Sequence, residues 1–186
     1  MSLILIDPGH GGADSGACAS GLKEKDLNLE IALKLWRLLW QKNITATLTR
    51  ITDLDKSLAQ RCEMANRLNA SYFLSIHCNS APDPKAEGIE VFYFPQSEQG
   101  RRWAETIFSA LEKLGRVQRG IKPARFYVLK HTRMPACLVE CGLISNPLEA
   151  KWLKNSTAQI AKALAEGIEN HLSQNQKSLS ALRELA

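Results

Sequence analysis

The apolar residues of this chain alternate between short continuous runs and helical spacing. Leu3 to Ile6 form a short apolar run that ends at Asp7-Pro8-Gly9, which is typical of a buried strand followed by a turn. Similar runs rich in β-branched and aromatic residues predict further strands at residues 44–49, 72–76, 89–94, 126–129 and 136–139. The pattern therefore predicts a sheet of short strands.

Helical spacing of apolar residues separates these strands. Leucine and isoleucine recur every three or four residues between 27 and 39, which predicts an amphipathic helix. Apolar residues from 103 to 114 share one face of a second helix. Two more helices are predicted to begin at the capping-box patterns Ser57–Gln60 and Ser156–Gln159.

The order of these elements predicts one α/β domain with a mainly parallel sheet and helices on both faces. A length of 186 residues suits a single domain with a sizeable core. We expect the folded domain to occupy residues 1–172. Beyond His171 the chain becomes polar, and residues 173–186 are expected to form a polar tail or the beginning of a linker.

Composition and charge limit the classes of function. Apolar residues make up 45% of the chain, yet no uncharged apolar run approaches the roughly 18 residues of a membrane helix, so no membrane insertion is expected. The formal net charge of +5 favours polyanionic surroundings, such as nucleic acid or an acidic cell envelope. Nucleic acid is the less favoured partner because no dense Lys/Arg run with interleaved aromatic residues is present.

The N-terminus and the cysteines bear on the compartment. The first ten residues lack a basic start, an apolar stretch and a cleavage site, so no secretory signal is expected. The protein is then either made in the cytoplasm or is an excised mature domain. Its five cysteines show no CxxC spacing and are interpreted as reduced, mostly packed thiols in a reducing compartment. The protein is expected to be a monomer.

Two histidines follow predicted strands and could bind a metal ion together. His10 follows the first strand and His77 ends the third, and the carboxyl ends of strands are where functional groups of α/β sheets collect. Glu24 lies at the end of a glycine-rich loop that can fold back over the first strand. Two imidazoles and one carboxylate are a common ligand set of catalytic zinc.

Each of these residues also has a plainer interpretation. A lone histidine at a strand end is more often a surface residue than a ligand, and Glu24 could belong to a solvated helix start. The glycine-rich loop could bind phosphate, but it lacks both the GK[ST] ending and the G-x-G-x-x-G spacing. Spacing alone leaves these alternatives open.

Glu140 is a further candidate because it directly follows the apolar run Ala136–Val139. A carboxylate at the end of a buried strand is costly unless it is paired or has a function. Beside a metal-bound water it could accept a proton and pass it to a leaving amine. It could instead be a structural residue that caps the following turn.

Taken together, the motifs of the chain resemble one family, the type 3 zinc-dependent N-acetylmuramoyl-L-alanine amidases. They occur in the family's order and cover nearly all of residues 3 to 170. The matching stretches are Ile-Asp-Pro-Gly-His-Gly-Gly (6–12), Glu-Lys-Asp-Leu-Asn-Leu (24–29), Leu-Thr-Arg (48–50), Ser-Ile-His-Cys-Asn (75–79), Gly-Ile-Glu-Val-Phe-Tyr (88–93), Val-Leu-Lys-His-Thr-Arg-Met-Pro-Ala (128–136) and Leu-Val-Glu-Cys-Gly-Leu-Ile-Ser-Asn-Pro (138–147).

The resemblance implies a twisted mixed sheet of about six strands and one Zn²⁺ per chain, bound by His10, Glu24 and His77. It implies that Glu140 is the catalytic glutamate in hydrolysis of the amide between N-acetylmuramic acid and L-alanine in peptidoglycan. Arg50 and Asn79 lie in matching motifs and are expected to contact substrate, support the metal ligands or stabilise the fold. Glu90 is placed outside the site, and His171 is expected to be solvated.

Two other functions remain open at this point. A zinc peptidase that cuts within the stem peptide would use a similar site. A non-catalytic wall-binding module would not need Glu140. The protein would in each case act on or bind the cell wall.

Overall fold

The computed structural model describes residues 2–184 of the chain, with side chains as far as residue 175. The strands are β1 (Ile4–Pro8), β2 (Cys18–Ala19), β3 (Leu22–Lys23), β4 (Ala46–Leu48), β5 (Tyr72–Asn79), β6 (Ile89–Tyr93), β7 (Gln118–Pro123) and β8 (Ala136–Leu143). The helices are α1 (Glu24–Gln41), α2 (Leu58–Arg67), α3 (Glu98–Glu112), α4 (Tyr127–His131) and α5 (Pro147–Glu184).

Six of the described strands form one sheet in the order β4-β1-β5-β8-β6-β7. Neighbouring strands are parallel except for β6 and β8, which are antiparallel. The short strands β2 and β3 form a separate hairpin in the loop before α1. The predicted α/β class and mixed, mostly parallel sheet are therefore confirmed.

Helices cover the sheet on both faces, as predicted. Apolar residues of α1, α3 and α5 form the larger cluster on one face, and the fully buried Trp103 donates a hydrogen bond from its indole to the carbonyl of Phe73 at 3.1 Å. On the other face, α2 and α4 pack over Leu5, Phe73 and Leu138. Strands β6 and β7 lie beyond these two short helices, so this face of the sheet is covered unevenly.

The predicted strand at 126–129 is wrong, since these residues lie at the beginning of helix α4. Val128 and Leu129 are buried against α2, and the hydroxyl of Thr132 donates to the carbonyl of Val128 at the end of the helix. One of the two edge strands of the sheet is β7, which the pattern did not predict. Its sequence Gln-Arg-Gly-Ile-Lys-Pro has little apolar alternation because an edge strand is only partly buried.

The last helix begins earlier than the capping pattern at Ser156 predicts. The side chain of Asn146 accepts hydrogen bonds from the backbone of Leu148 and Glu149, and Pro147 occupies the first helical position. The helix then continues through the predicted boundary at 172 as far as Glu184, so the polar tail is helical over that length. Within the described residues, no helix combines the length and apolar character needed to cross a bilayer.

A buried ion pair joins the end of β1 to α2. The carboxylate of Asp7 accepts from the guanidinium of Arg61 at 2.7 Å, the hydroxyl of Thr49 at 2.6 Å and the hydroxyl of Ser75 at 2.8 Å. Arg61 also donates to the carbonyls of Pro8 and His10. Because Asp7 and Arg61 are both nearly inaccessible to solvent, this network fixes the loop that carries His10.

Replacing Asp7 by alanine should destabilise the protein by about 3–5 kcal/mol, because Arg61 would remain buried without its counter-ion. The free energy of unfolding in urea measures this loss. The control Glu105→Ala removes the exposed pair with Arg101 and should lower the free energy of unfolding much less, because solvent screens that pair. Equal losses in the two variants would contradict the role given to the buried network.

His171 is buried, so its predicted solvation is wrong. Its ring packs edge-on against Tyr72 and Trp103, and Nδ1 lies 3.1 Å from the hydroxyl of Thr106. Burial lowers the pKa of His171 below its ordinary value. The unfolded chain therefore binds a proton at higher pH than the folded protein does.

The free energy of unfolding should consequently decline as the pH falls below about 6.5, the pKa of a histidine in an unfolded chain. The decline should end at the lower pH at which His171 is also protonated in the folded protein. Replacing His171 by glutamine should remove this part of the decline. The measurement is the free energy of unfolding against pH for the wild type and the variant. His131→Gln, a change at an exposed histidine, should keep the wild-type profile, and the same profile in His171→Gln would refute the prediction.

Candidate metal centre and active site

Three separate parts of the chain bring His10, Glu24 and His77 together. His10 follows β1 in a left-handed conformation with φ 60°, Glu24 is the first residue of α1, and His77 lies near the end of β5. A bridge between Gly11 and Asp14 turns the loop after His10 back on itself. The strand ends and the loop thus converge as the sequence predicted.

The carboxylate of Glu24 lies between the two imidazoles. Its Oε2 is 3.2 Å from Nε2 of His10, and its Oε1 is 2.9 Å from Nδ1 of His77. One nitrogen from each histidine and one carboxylate oxygen all lie within 4.8 Å of one another. These are the atoms that a single metal ion could contact.

Hydrogen bonds fix the orientation of both Glu24 and His10. Glu24 accepts from the backbone amides of Ala17 at 2.9 Å and Cys78 at 3.1 Å. Burial by itself raises the pKa of Glu24, but the contacts with His10 and His77 outweigh it and hold the pKa well below its usual value. The carboxylate of Asp14 lies 2.7 Å from Nδ1 of His10 and leaves Nε2 directed at Glu24.

Two glycines allow the close approach of these side chains. A Cβ atom at Gly9 would lie 2.2 Å from the ring of His77. A Cβ atom at Gly16, where φ is +63°, would lie 2.6 Å from both Glu24 and the ring of His10. A larger residue at position 9 would displace His77, and one at position 16 would displace Glu24 and His10.

The residues fit a divalent cation. Two imidazole nitrogens and one ionised carboxylate have the composition of many catalytic zinc sites, which use three protein ligands and keep one position for water or substrate. In such sites, the second nitrogen of a metal-binding histidine regularly has an acidic partner. Asp14 is in the corresponding position next to Nδ1 of His10.

Glu140 lies beside the candidate metal ligands. It pairs directly with His77 across β5 and β8, and both residues line the same cavity. Its Oε2 atom is buried and has no hydrogen-bond partner among the residues that the structure describes. Burial, and then the negative charges of Glu24 and Glu90, raise the pKa of Glu140 well above its usual value. The surroundings of Glu140 therefore increase its affinity for a proton.

The two other predicted site residues, Arg50 and Asn79, make structural contacts. Arg50 is buried and donates to the carbonyls of Pro8, Gly9 and Lys25, so it holds the backbone beside His10. Asn79 donates to Glu90 at 2.6 Å. Neither side chain is part of the cavity wall that contains His10, His77 and Glu140.

Sequence reasoning placed Glu90 outside the site, whereas the structure places it directly opposite Glu140. Its position between Ile89 and Val91, both fully buried, was the available signal, because a buried carboxylate needs partners. The roles of Asp14 and Arg61 were also not predicted, since their contacts depend on the folded loop.

The cavity beside the candidate metal centre has a volume of about 450 Å³. Its lining combines the polar side chains described above with a group of apolar and aromatic side chains, which are Leu58, Phe126, Tyr127, Val128 and Leu138. Leu58, Phe126 and Tyr127 are exposed at the rim, so the cavity opens to solvent beside aromatic side chains.

The sequence matches the family model described as N-acetylmuramoyl-L-alanine amidase over residues 4–170. The chain belongs to this family. The matched segment contains all the residues discussed above for the site. The amidase fold, with its six-stranded mixed sheet, is accordingly the fold of the chain.

Individual relatives support the same assignment. The amidase CwlM of Bacillus licheniformis is 39% identical over 187 residues, which cover 96% of this chain and 73% of CwlM. LytC of Bacillus subtilis is 39% identical over 169 residues, 88% of this chain but 34% of LytC, so the chain spans about a third of that protein. The catalytic domain of the amidase CwlV from Bacillus (Paenibacillus) polymyxa var. colistinus superimposes with a TM-score of 0.89 at 35% identity, covering 93% of this chain and 99% of that domain.

Replacing Asp14 by alanine in this amidase should weaken zinc binding about 10- to 100-fold, because His10 loses the partner that orients its ring. Zinc affinity is measured by competition with a chromophoric chelator. Asp55→Ala is the matched control, since Asp55 lines the same cavity and is not hydrogen-bonded to His10. Unchanged affinity in Asp14→Ala would contradict the role of Asp14.

Proposed function

We propose that this protein is a zinc-dependent amidase that hydrolyses the bond between the lactyl group of N-acetylmuramic acid and L-alanine in peptidoglycan. The observation that carries the proposal is the convergence of His10, Glu24 and His77 with Glu140 beside them. The family membership and the names of the relatives favour this amide bond over other substrates of zinc hydrolases.

His10 through Nε2, His77 through Nδ1 and Glu24 would together hold one Zn²⁺ per chain. Zinc bound there would supply Lewis-acid activation of the scissile carbonyl and of a water molecule. The chain's own contribution is to present two imidazole nitrogens and an ionised carboxylate in a fixed arrangement. The hydrogen bond that Asp14 accepts from His10, and those that the backbone amides of Ala17 and Cys78 donate to Glu24, supply that arrangement.

Glu140 would act first as a base and then as an acid. Its carboxylate takes a proton from the attacking water, and the oxygen of that water forms a bond to the amide carbon. As the C–N bond breaks, Glu140 returns the proton to the nitrogen of L-alanine. The products are a free lactyl carboxylate and a free amino terminus.

Residues 1–172 would form the catalytic unit, in keeping with the extent of the match to the catalytic domain of CwlV. The polar helical segment from Ser173 would lead away from it as a tail or linker. The site of action would be the cell wall, which the protein would reach through lysis or separate export. A monomeric catalytic unit remains our prediction.

Replacing Glu140 by glutamine should lower kcat by about 10²–10⁴-fold, because the proton acceptor is lost, while zinc content stays at one per chain. Hydrolysis is followed by mass spectrometry of digested, purified walls, which detects lactyl carboxylates and L-alanine amino termini. Glu63→Gln, at an exposed position of α2, serves as the control and should retain activity.

Three results would count against the proposal. New termini within the stem peptide would indicate a peptidase. Wall binding without any hydrolysis by the wild-type protein would indicate a binding module. Full activity of Glu140→Gln would refute the role of Glu140 as the base.

A further inference from the structure

A row of paired residues leads from the candidate metal centre towards the edge of the sheet. His77 pairs with Glu140, Glu140 with Glu90, and Glu90 with Gly120. Paired residues of neighbouring strands project from the same face of a sheet. No atom lies within 4 Å of the position that a Cβ atom of Gly120 would take, so the outer end of the row is open.

The neighbouring row of paired residues forms an apolar surface beside the first. Leu138 pairs with Phe92, and Phe92 pairs with Lys122. Phe92 packs edge-on against Phe126 with ring centroids 5.1 Å apart, and Leu138 and Phe126 also line the active-site cavity. Helix α3 packs on β6 and β7 from the opposite face, next to Val91. The surface formed by Glu90, Phe92, Lys122, Phe126 and Leu138, here called the shelf, therefore continues the cavity over β6 and β7.

The shelf carries an excess of positive charge at its outer edge. The buried carboxylate of Glu90 accepts from Lys122 at 2.5 Å and from Asn79, and its Oε2 lies 3.3 Å from Nε of Arg119. Two cations thus share one anion. The side chain of Lys122 is 42% exposed, and an ammonium group has three donors, so Lys122 keeps donors for a ligand while Glu90 holds it in place.

The chemistry of the proposed function determines which part of the substrate reaches the shelf. Glu140 must come within hydrogen-bonding distance of the leaving nitrogen in order to protonate it. That nitrogen belongs to L-alanine, the first residue of the stem peptide. The stem peptide therefore leaves the site on the side of Glu140, which is the side of the shelf.

Resting on the proposed function, we propose that the shelf is a subsite for the stem peptide in which Lys122 binds a carboxylate of the peptide. Lys122 lies two strands away from Glu140 and one row along the sheet, but its ammonium group contacts the carboxylate of Glu90, which pairs directly with Glu140. Neighbouring strands are about 4.8 Å apart, so the group that holds the ammonium lies about one strand spacing from Glu140. In an extended peptide, the free carboxylate on the residue after L-alanine lies at most about 7 Å from the L-alanine nitrogen, which is far enough to span that spacing. Arg119 adds positive charge beside the same position.

The test uses two disaccharide tetrapeptides that differ only at the second stem residue, which carries a free carboxylate in one and a carboxamide in the other. The wild-type protein should cleave the carboxylate substrate with about tenfold higher kcat/KM, mainly through a lower KM, because a charge-assisted hydrogen bond is lost in the carboxamide. Lys122→Met should lower kcat/KM for the carboxylate substrate to about that for the carboxamide. Lys122→Arg should retain the preference.

Lys113→Met is the matched control, since Lys113 also pairs with a glutamate but lies at the end of α3. It should keep the wild-type preference. If Lys122→Met lowers kcat/KM equally for both substrates, Lys122 has a structural role and the proposal is overturned. An unchanged preference of this variant for the carboxylate substrate would also overturn the proposal. If the wild-type protein cleaves neither substrate at the L-alanine bond, the proposed function itself fails and this inference fails with it.

Discussion

The buried carboxylate of Glu24 is the group on which the rest of the site depends. Burying a carboxylate is costly, and here two imidazoles and two backbone amides offset the cost and keep the group ionised. The two histidines reach it only because Gly9 and Gly16 have no side chains. An ionised carboxylate between two imidazole nitrogens is also a ligand set suited to a divalent cation. The same three side chains therefore determine both the packing of this region and its proposed chemistry.

The stability of the fold and the geometry of the site are coupled through the loop after β1. Arg61 and Arg50 are both buried and donate to the backbone carbonyls of His10 and of the two residues before it. A long flexible loop would lose conformational entropy whenever the site formed. Because these guanidinium groups already hold the loop in the folded protein, the three candidate ligands are arranged before any substrate binds.

The convergence of His10, Glu24, His77 and Glu140 could be predicted from the sequence, because each residue lies at the end of a recognisable strand or loop and the carboxyl ends of parallel strands meet at one edge of a sheet. Their roles as ligands and base were implied by the family resemblance and stay predictions. Contacts between distant side chains gave no such signal. Glu90 looked like an ordinary strand residue, and only the antiparallel pairing of β6 with β8 places it opposite Glu140. Asp14 likewise gains its role only through the turn of the loop.

The wrong predictions of secondary structure also have physical causes that lie in tertiary contacts. The short apolar run at 126–129 is compatible with either a strand or a single helical turn. In the folded protein, packing against α2 stabilises the helical conformation. The capping pattern at Ser156 was overridden by Asn146 and Pro147, which begin α5 nine residues or more earlier. Strand β7 lacked a pattern because it is an edge strand with polar residues. These are places where tertiary contacts outweigh local preference.

Reconstitution with metal tests the central claim most directly. The protein is stripped with a chelator, zinc is added back stepwise, and bound zinc and release of L-alanine amino termini from purified walls are measured on the same samples. The account predicts that hydrolysis disappears with the metal and returns in proportion to occupancy, reaching its maximum at one zinc per chain. Hydrolysis that persists in the fully stripped protein would contradict it.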